Sequence, residues 1–233
     1  MDSTVYLSSP VNALVNGLYE ENVPLIEVRR HGDFGLGTFD DLDGEMILLD
    51  GRIFQIAANG HVTQVDLQAR TPFAMVTFFK PTIHDEIQGE LSHVEFEARL
   101  EQLLPSPNLF YAIRVEGAFS HIRARSVPKQ ANYHPFADVA HQQEVFEFDR
   151  PVGTLAGFYT PAFMSSLSVP GLHLHFLSTD LQHGGHMLQC RPSRARISIQ
   201  VIHKLELSLP LTADYLKSDL SRDVNQDLNL VEK

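Results

Sequence analysis

The 233-residue sequence holds one cysteine, Cys190, and no tryptophan. A single thiol cannot close an internal disulfide, nor can it build a cysteine-rich zinc or iron–sulfur centre. Any transition metal held by this chain must therefore be held by nitrogen and oxygen. Basic residues are also few: 18 Lys+Arg stand against 29 Asp+Glu, a formal net charge of -11. A surface of that sign repels nucleic-acid phosphates and anionic lipid headgroups, so neither is expected as a partner. Lysine is scarce, and none sits where a Schiff base is suggested. No apolar run approaches the ~20 residues of a membrane-spanning helix. The start, Met1-Asp2-Ser3-Thr4, shows no basic segment leading into an apolar one. No signal peptide is read there, and a cytoplasmic protein is expected. Neither a GxSxG elbow nor a GxGxxG opening a helix behind a strand occurs, which disfavours a serine hydrolase and a Rossmann domain.

What is present is an ordinary globular balance, 43% hydrophobic and 20% charged. A chain of this size can bury a core without a disulfide or metal staple. The abundant residue is histidine, with twelve.

Hydrophobic spacing gives a strand-rich α+β fold. Two closely packed β-rich halves are expected, 1–115 and 116–233, with mixed and antiparallel sheets and few helices. Helices are predicted over 10–19, over 85–104 (ended by Pro105) and over 214–220. Strands are predicted at 24–30, 45–49 and 73–79. Residues 31–45 hold four glycines and read as a bending loop or broken hairpin. Asn59-Gly60 marks a hairpin joining 52–57 to 61–67. Residues 109–127 read as two strands broken near Gly117, and 130–142 as a loop or short helix. Strand signals then run through 169–178 and, past a turn at Gly184-Gly185, to the Leu205 region.

His173 and His175 flank Leu174 in an alternating stretch. On a strand, i and i+2 point to one face, so the two imidazoles project together. A hairpin can return His186 beside them, with His183 as the alternative; His186 is preferred because it begins the returning strand. Three neutral imidazoles with an open fourth position is the ligand pattern of catalytic zinc. Glu45 closes the glycine-rich loop, where a carboxylate can approach a ligand. Arg123 and Arg125 share one face of a strand and can clamp a substrate carboxylate. These residues also suit other zinc lyases or hydrolases with three histidine ligands, or a strand-rich metal-binding module without catalysis. Cys190 reads as a small buried apolar residue.

Several separated segments resemble the alpha-acetolactate decarboxylases, in family order and along nearly the whole chain. They are Gly37-Thr38-Phe39 with LDGEM (42–46), TPFAMVTFF (71–79), 122–127, GTLAGFYTPAF (153–163), GLHLHFLS (171–178), GGHMLQC (184–190) and Thr212-Ala213-Asp214. The resemblance implies a zinc enzyme, commonly a homodimer, that turns 2-acetolactate into (R)-acetoin and carbon dioxide. It implies His173, His175 and His186 as the metal ligands, with Thr38, Glu45, Arg125 and the penultimate residue Glu232 as catalytic groups. The chemistry agrees with those residue types. Loss of carbon dioxide from a β-keto acid needs an electron sink, and a Lewis-acidic metal on the ketone oxygen supplies one through an enediolate.

Overall fold

The computed structural model describes residues 3–20, 23–131, 139, 142–223 and 228. In chain order the strands are β1 (Thr4–Leu7), β2 (Val23–Pro24), β3 (Phe34–Thr38), β4 (Glu45–Leu49), β5 (Arg52–Ile56), β6 (Val62–Gln64), β7 (Arg70–Thr71), β8 (Ala74–Thr77), β9 (Ile83–Ile87), β10 (Phe110–Ser126), β11 (Glu144–Asp149), β12 (Val152–Thr160), β13 (Gly171–Ser178), β14 (Gly184–Ile202) and β15 (Lys204–Leu207). The helices among the described residues are α1 (Val11–Val15), α2 (Leu25–His31), α3 (His93–Leu103) and α4 (Ala213–Lys217), with single 3-10 turns at Asp40–Leu42 and Ala162–Met164.

All of these strands but β2 and β7, which pair with each other, form two large sheets, so the protein is strand-rich α+β as expected. The first has seven strands in the order β15-β1-β8-β3-β4-β5-β6. It is mixed: β15 runs parallel to β1, and the other neighbours are antiparallel. Alternation gives it two apolar faces. One face buries Met46, Leu48 and Val76 under Leu25 and Val28 of α2. The other turns Leu36, Ile47, Phe54 and Ile56 toward Ala156, Phe158 and Leu177 of the second sheet. Gly157 makes that approach possible, because a Cβ there would lie 2.9 Å from a Leu36 methyl and 2.0 Å from the His173 carbonyl oxygen. Burying each such large apolar side chain contributes about 1.5–3 kcal/mol, an upper figure against a real unfolded chain.

The second sheet has six strands in the order β11-β10-β12-β13-β14-β9, and β10 also pairs with β14. The hydrogen bonding of β10, β12, β13 and β14 therefore closes on itself. Leu155, Leu174, Phe176 and Ile197 form a separate core here, with Phe96 and Leu100 of α3 packed into it.

Several local expectations are corrected. Residues 25–31 are helix α2, not strand: Leu25 and Val28 are buried three residues apart, and Glu27 pairs with Arg30 and His31 one turn on. The predicted helix 85–104 is two elements. Residues 83–87 add β9 to the edge of β14, and a Ser92/Glu95 capping box starts α3 at His93. The predicted pair of strands at 109–127 is one 17-residue strand, β10. Gly117 lets it continue, since a Cβ there would lie 2.1 Å from the Arg194 carbonyl oxygen, and the register shifts just beyond, at Ala118 and Phe119. The expected boundary between 115 and 116 lies inside β10, while β9 and β15 each join the sheet of the other half. Helix α1 covers only five residues of 10–19, and α4 (Ala213–Lys217) only the first four residues of 214–220. The glycine-rich segment forms the β3–β4 hairpin, and Gly60 takes a left-handed φ of 78° in the β5–β6 turn. Most of 130–142 lies outside the described residues.

Candidate metal centre

The β13–β14 hairpin is built by Ser178 and Asp180 rather than by Gly184-Gly185. The Ser178 hydroxyl donates to Asp180 (2.6 Å) and accepts from the His183 amide (3.0 Å), and the Ser178 amide donates to the His183 carbonyl (2.9 Å). The turn thus spans 179–183, and both glycines belong to β14. Their role is close approach: a Cβ on Gly185, whose φ is 144°, would lie 2.6 Å from the Arg125 carbonyl oxygen. Strand β14 can therefore lie against β10 and β13 at one point. In register, His186 stands opposite His175 on β13 and opposite Arg125 on β10.

His173, His175 and His186 are all buried, and their ligand atoms lie within 4.8 Å of one another. Their ring centroids are 4.9–5.4 Å apart. The two Nε2 atoms of His173 and His175 are 3.2 Å apart. Two nitrogens on one tetrahedral zinc, each at ~2.05 Å, lie about 3.3 Å apart, so this spacing fits a shared ion. His175 Nδ1 lies 2.8 Å from the Met46 carbonyl oxygen, to which it can only donate. That fixes the tautomer and leaves the Nε2 lone pair facing its neighbours, as a ligating imidazole requires. Burial pulls His173 well below the ordinary imidazole value, with His175 and the Arg125 guanidinium adding to it. Burial also pulls His175 down to about 3, against its bond to Met46 and with the help of Arg125. Both rings are thus neutral at physiological pH and able to ligate. His183, the alternative ligand, is exposed on the turn with its ring 5.1 Å from that of Phe148.

The first sheet supplies the opposite wall. Glu45, first residue of β4, shares the face of Ile47 and meets the histidines across the sheet interface. Its Oε1 accepts from Arg125 Nη1 at 2.5 Å, and its Oε2 is 3.4 Å from His175 Nε2. Arg125 is 1% exposed, a depth at which a guanidinium is found only when it is paired. Arg123 lies on the same strand but at the rim, 42% exposed and 3.4 Å from Glu147. The site therefore takes one of the two arginines. Thr38 is buried at the cavity, and its hydroxyl donates to the Gly44 carbonyl at 2.7 Å. It locks the turn that delivers Glu45. In that turn Asp41 and Leu42 hold left-handed φ values of 59° and 56°, unfavourable for leucine above all. Glu232 lies outside the described residues. Cys190 is buried away from the site, and burial pushes its thiol up, as an inert core residue requires.

Thr38, Glu45, Arg125, His173 and His175 line a cavity of about 380 Å³, its open mouth included. The rest of its wall is apolar: Val11, Leu14, Leu42, Phe73, Val127 and Val169. Sequence reasoning does not assign this wall, nor the Met46 carbonyl, to the site. The helical spacing of Val11 and Leu14 marks a buried face without showing what it faces. The arrangement offers a cation-holding nitrogen cluster, a guanidinium for an anionic group and a carboxylate for proton transfer, beside room for a small alkyl group.

The comparisons agree with this construction. Residues 5–222 match the family model described as alpha-acetolactate decarboxylase. The chain is 39% identical over 230 residues to an alpha-acetolactate decarboxylase of Methanosarcina mazei, covering 98% of this chain and 80% of the relative. It is 40% identical over 232 residues to one of Methylococcus capsulatus, covering 99% and 89%. The crystal structure of the Bacillus subtilis strain 168 alpha-acetolactate decarboxylase superposes with a TM-score of 0.96 at 35% identity, covering 99% of each chain. By its sequence, its fold and its buried histidine cluster, the chain belongs to the alpha-acetolactate decarboxylase family.

Proposed function

We propose that this protein decarboxylates 2-acetolactate to (R)-acetoin and carbon dioxide, with a zinc ion held by His173, His175 and His186. The observation that carries the reading is the meeting of that triad with the buried Glu45–Arg125 pair; His173, His175, Glu45 and Arg125 all line one cavity. A Lewis-acidic ion held by the three histidines would supply stabilisation for the negative charge that develops on the substrate's ketone oxygen as carbon dioxide departs. The Arg125 guanidinium, a planar fork of five N–H donors, binds and orients the substrate carboxylate. Glu45, held by Arg125, takes up a proton from solvent and passes it to the carbon that lost carbon dioxide. The β4 wall stands on one side of the cavity only, so delivery to one face yields one enantiomer. Thr38 acts through the Glu45 turn. The apolar wall receives the methyl groups and excludes water. No helix among the described residues is long and apolar enough to cross a membrane, and the same reading carries a homodimer in the cytoplasm as its expected form.

The test is direct. Purified protein incubated with racemic 2-acetolactate is expected to form acetoin from one enantiomer first. A chelator should abolish the reaction, and added zinc should restore it. Acetoin formation unaffected by complete metal removal would overturn the metal assignment, and no acetoin from metal-loaded protein would overturn the activity.

A further inference from the structure

Glu45 and Arg125 come from different sheets, so their separation depends on how the sheets are held together at that point. Glu45 pairs in register with Ile56 across the β4–β5 ladder. The carbonyl of Ile56 accepts a 2.8 Å hydrogen bond from the hydroxyl of Ser126, the residue after Arg125. Ser126 is fully buried. The bond thus ties β5, at the cross-strand partner of the carboxylate, to the strand of the guanidinium, one residue from Arg125.

Ile56 is also gripped from two other sides. A Cβ on Gly44, the residue before Glu45, would lie 2.3 Å from its carbonyl oxygen. A Cβ on Gly184, two residues before His186, would lie 2.7 Å from its Cγ1. The backbone is therefore shaped around Ile56 on both sides of the site, and the Ser126 hydroxyl is a polar link between the two sheets there, in addition to the bond of His175 to the Met46 carbonyl. A valine or alanine would satisfy the apolar surroundings of β10 equally well; only a hydroxyl serves the carbonyl.

We propose that Ser126 is a positioning residue that sets the distance between Glu45 and the groups on the second sheet. The consequence is directional. Arg125 and the three histidines all belong to the second sheet, where His186 is paired with both Arg125 and His175. Loss of the Ser126 bond leaves them together, so binding of metal and of the substrate carboxylate persists. Glu45 alone drifts, so proton delivery suffers. A displacement of this kind, small in distance, is expensive for a reaction that relies on alignment.

The inference rests on the proposed decarboxylation for its kinetic arm, and a structural arm makes the two separable. Ser126→Ala, Ser126→Val and Ser126→Thr are compared with the unaltered protein as zinc-loaded full chains. Valine and threonine match in shape, so that pair isolates the hydroxyl even if alanine impairs folding. Ser126→Val and Ser126→Ala should keep full metal content, with kcat per bound metal reduced roughly 5–50-fold and KM changed less than about twofold. Ser126→Thr should stay within about threefold of the unaltered protein. A crystal structure of Ser126→Ala should show the Glu45–Arg125 contact lengthened beyond 2.5 Å. Equal kcat for the valine and threonine variants would overturn the proposal, as would metal lost together with turnover or a Glu45–Arg125 contact unchanged in the crystal. An unaltered protein that makes no acetoin would overturn the decarboxylase reading instead, and the crystal comparison would still decide the part played by Ser126.

Discussion

The two walls of the cavity are made by different means. The second sheet places His173, His175 and His186 by regular strand geometry: an i, i+2 pair on β13 and the cross-strand partner of His175 on β14. The first sheet places Glu45 through an irregular turn with two left-handed non-glycine residues, braced by the Thr38–Gly44 bond. Metal ligands need fixed separations, and a ladder of strands sets them without further help. The carboxylate we propose for proton transfer must instead reach across to a second element, and the strained turn with its braces provides that reach. The difference predicts that lesions at the histidines and in the strands that register them, β13 and β14, remove the metal, whereas lesions in the turn that carries Glu45 spare it.

The largest effect is expected from His173→Ala, which should lose both bound metal and turnover, the latter by about 10³-fold or more. Metal analysis alongside acetoin production checks this; metal retained at full occupancy would show that the ligands lie elsewhere. Next comes Gly185→Ala. Its Cβ would lie 2.6 Å from the Arg125 carbonyl oxygen at a φ of 144°, so β14 must shift against β10. A stability loss of about 1–3 kcal/mol, with weaker metal retention, is expected in urea titrations and dialysis. The smallest effect belongs to Arg123→Ala. That side chain is 42% exposed and its partner Glu147 is at the surface, so turnover should stay within about twofold and stability within about 0.5 kcal/mol. A large loss there would mean that the rim arginine, not Arg125, serves the substrate.

The same contrast explains what the sequence makes legible. Period-two alternation is local, so the shared face of His173 and His175 can be read directly from the residues around them. The hairpin is legible too, but Gly184-Gly185 marks the wrong place for its turn, because glycine serves close strand approach as readily as turning. Glu45 can be marked as a carboxylate beside a flexible loop, yet its bond to Arg125 spans 80 residues and two sheets. No spacing rule encodes that contact; the family resemblance points to the residues, and the sheet interface accounts for their meeting. The α2 segment reads as a strand because a seven-residue helix with two buried positions carries too short a pattern to tell the two apart. The strand β9 is hidden because its Ile83 and Ile87 also fit a helical period.

The most direct test of a metal wall facing a proton-transfer wall is Glu45→Gln, with metal content and kcat measured on the same preparation. Glutamine keeps the shape, and its amide oxygen can still accept from Arg125, so the buried guanidinium is not stripped of its partner. The account predicts one bound metal per chain, as in the unaltered protein, with kcat reduced about 10²–10³-fold. Near-normal turnover, or metal lost in step with activity, would contradict it.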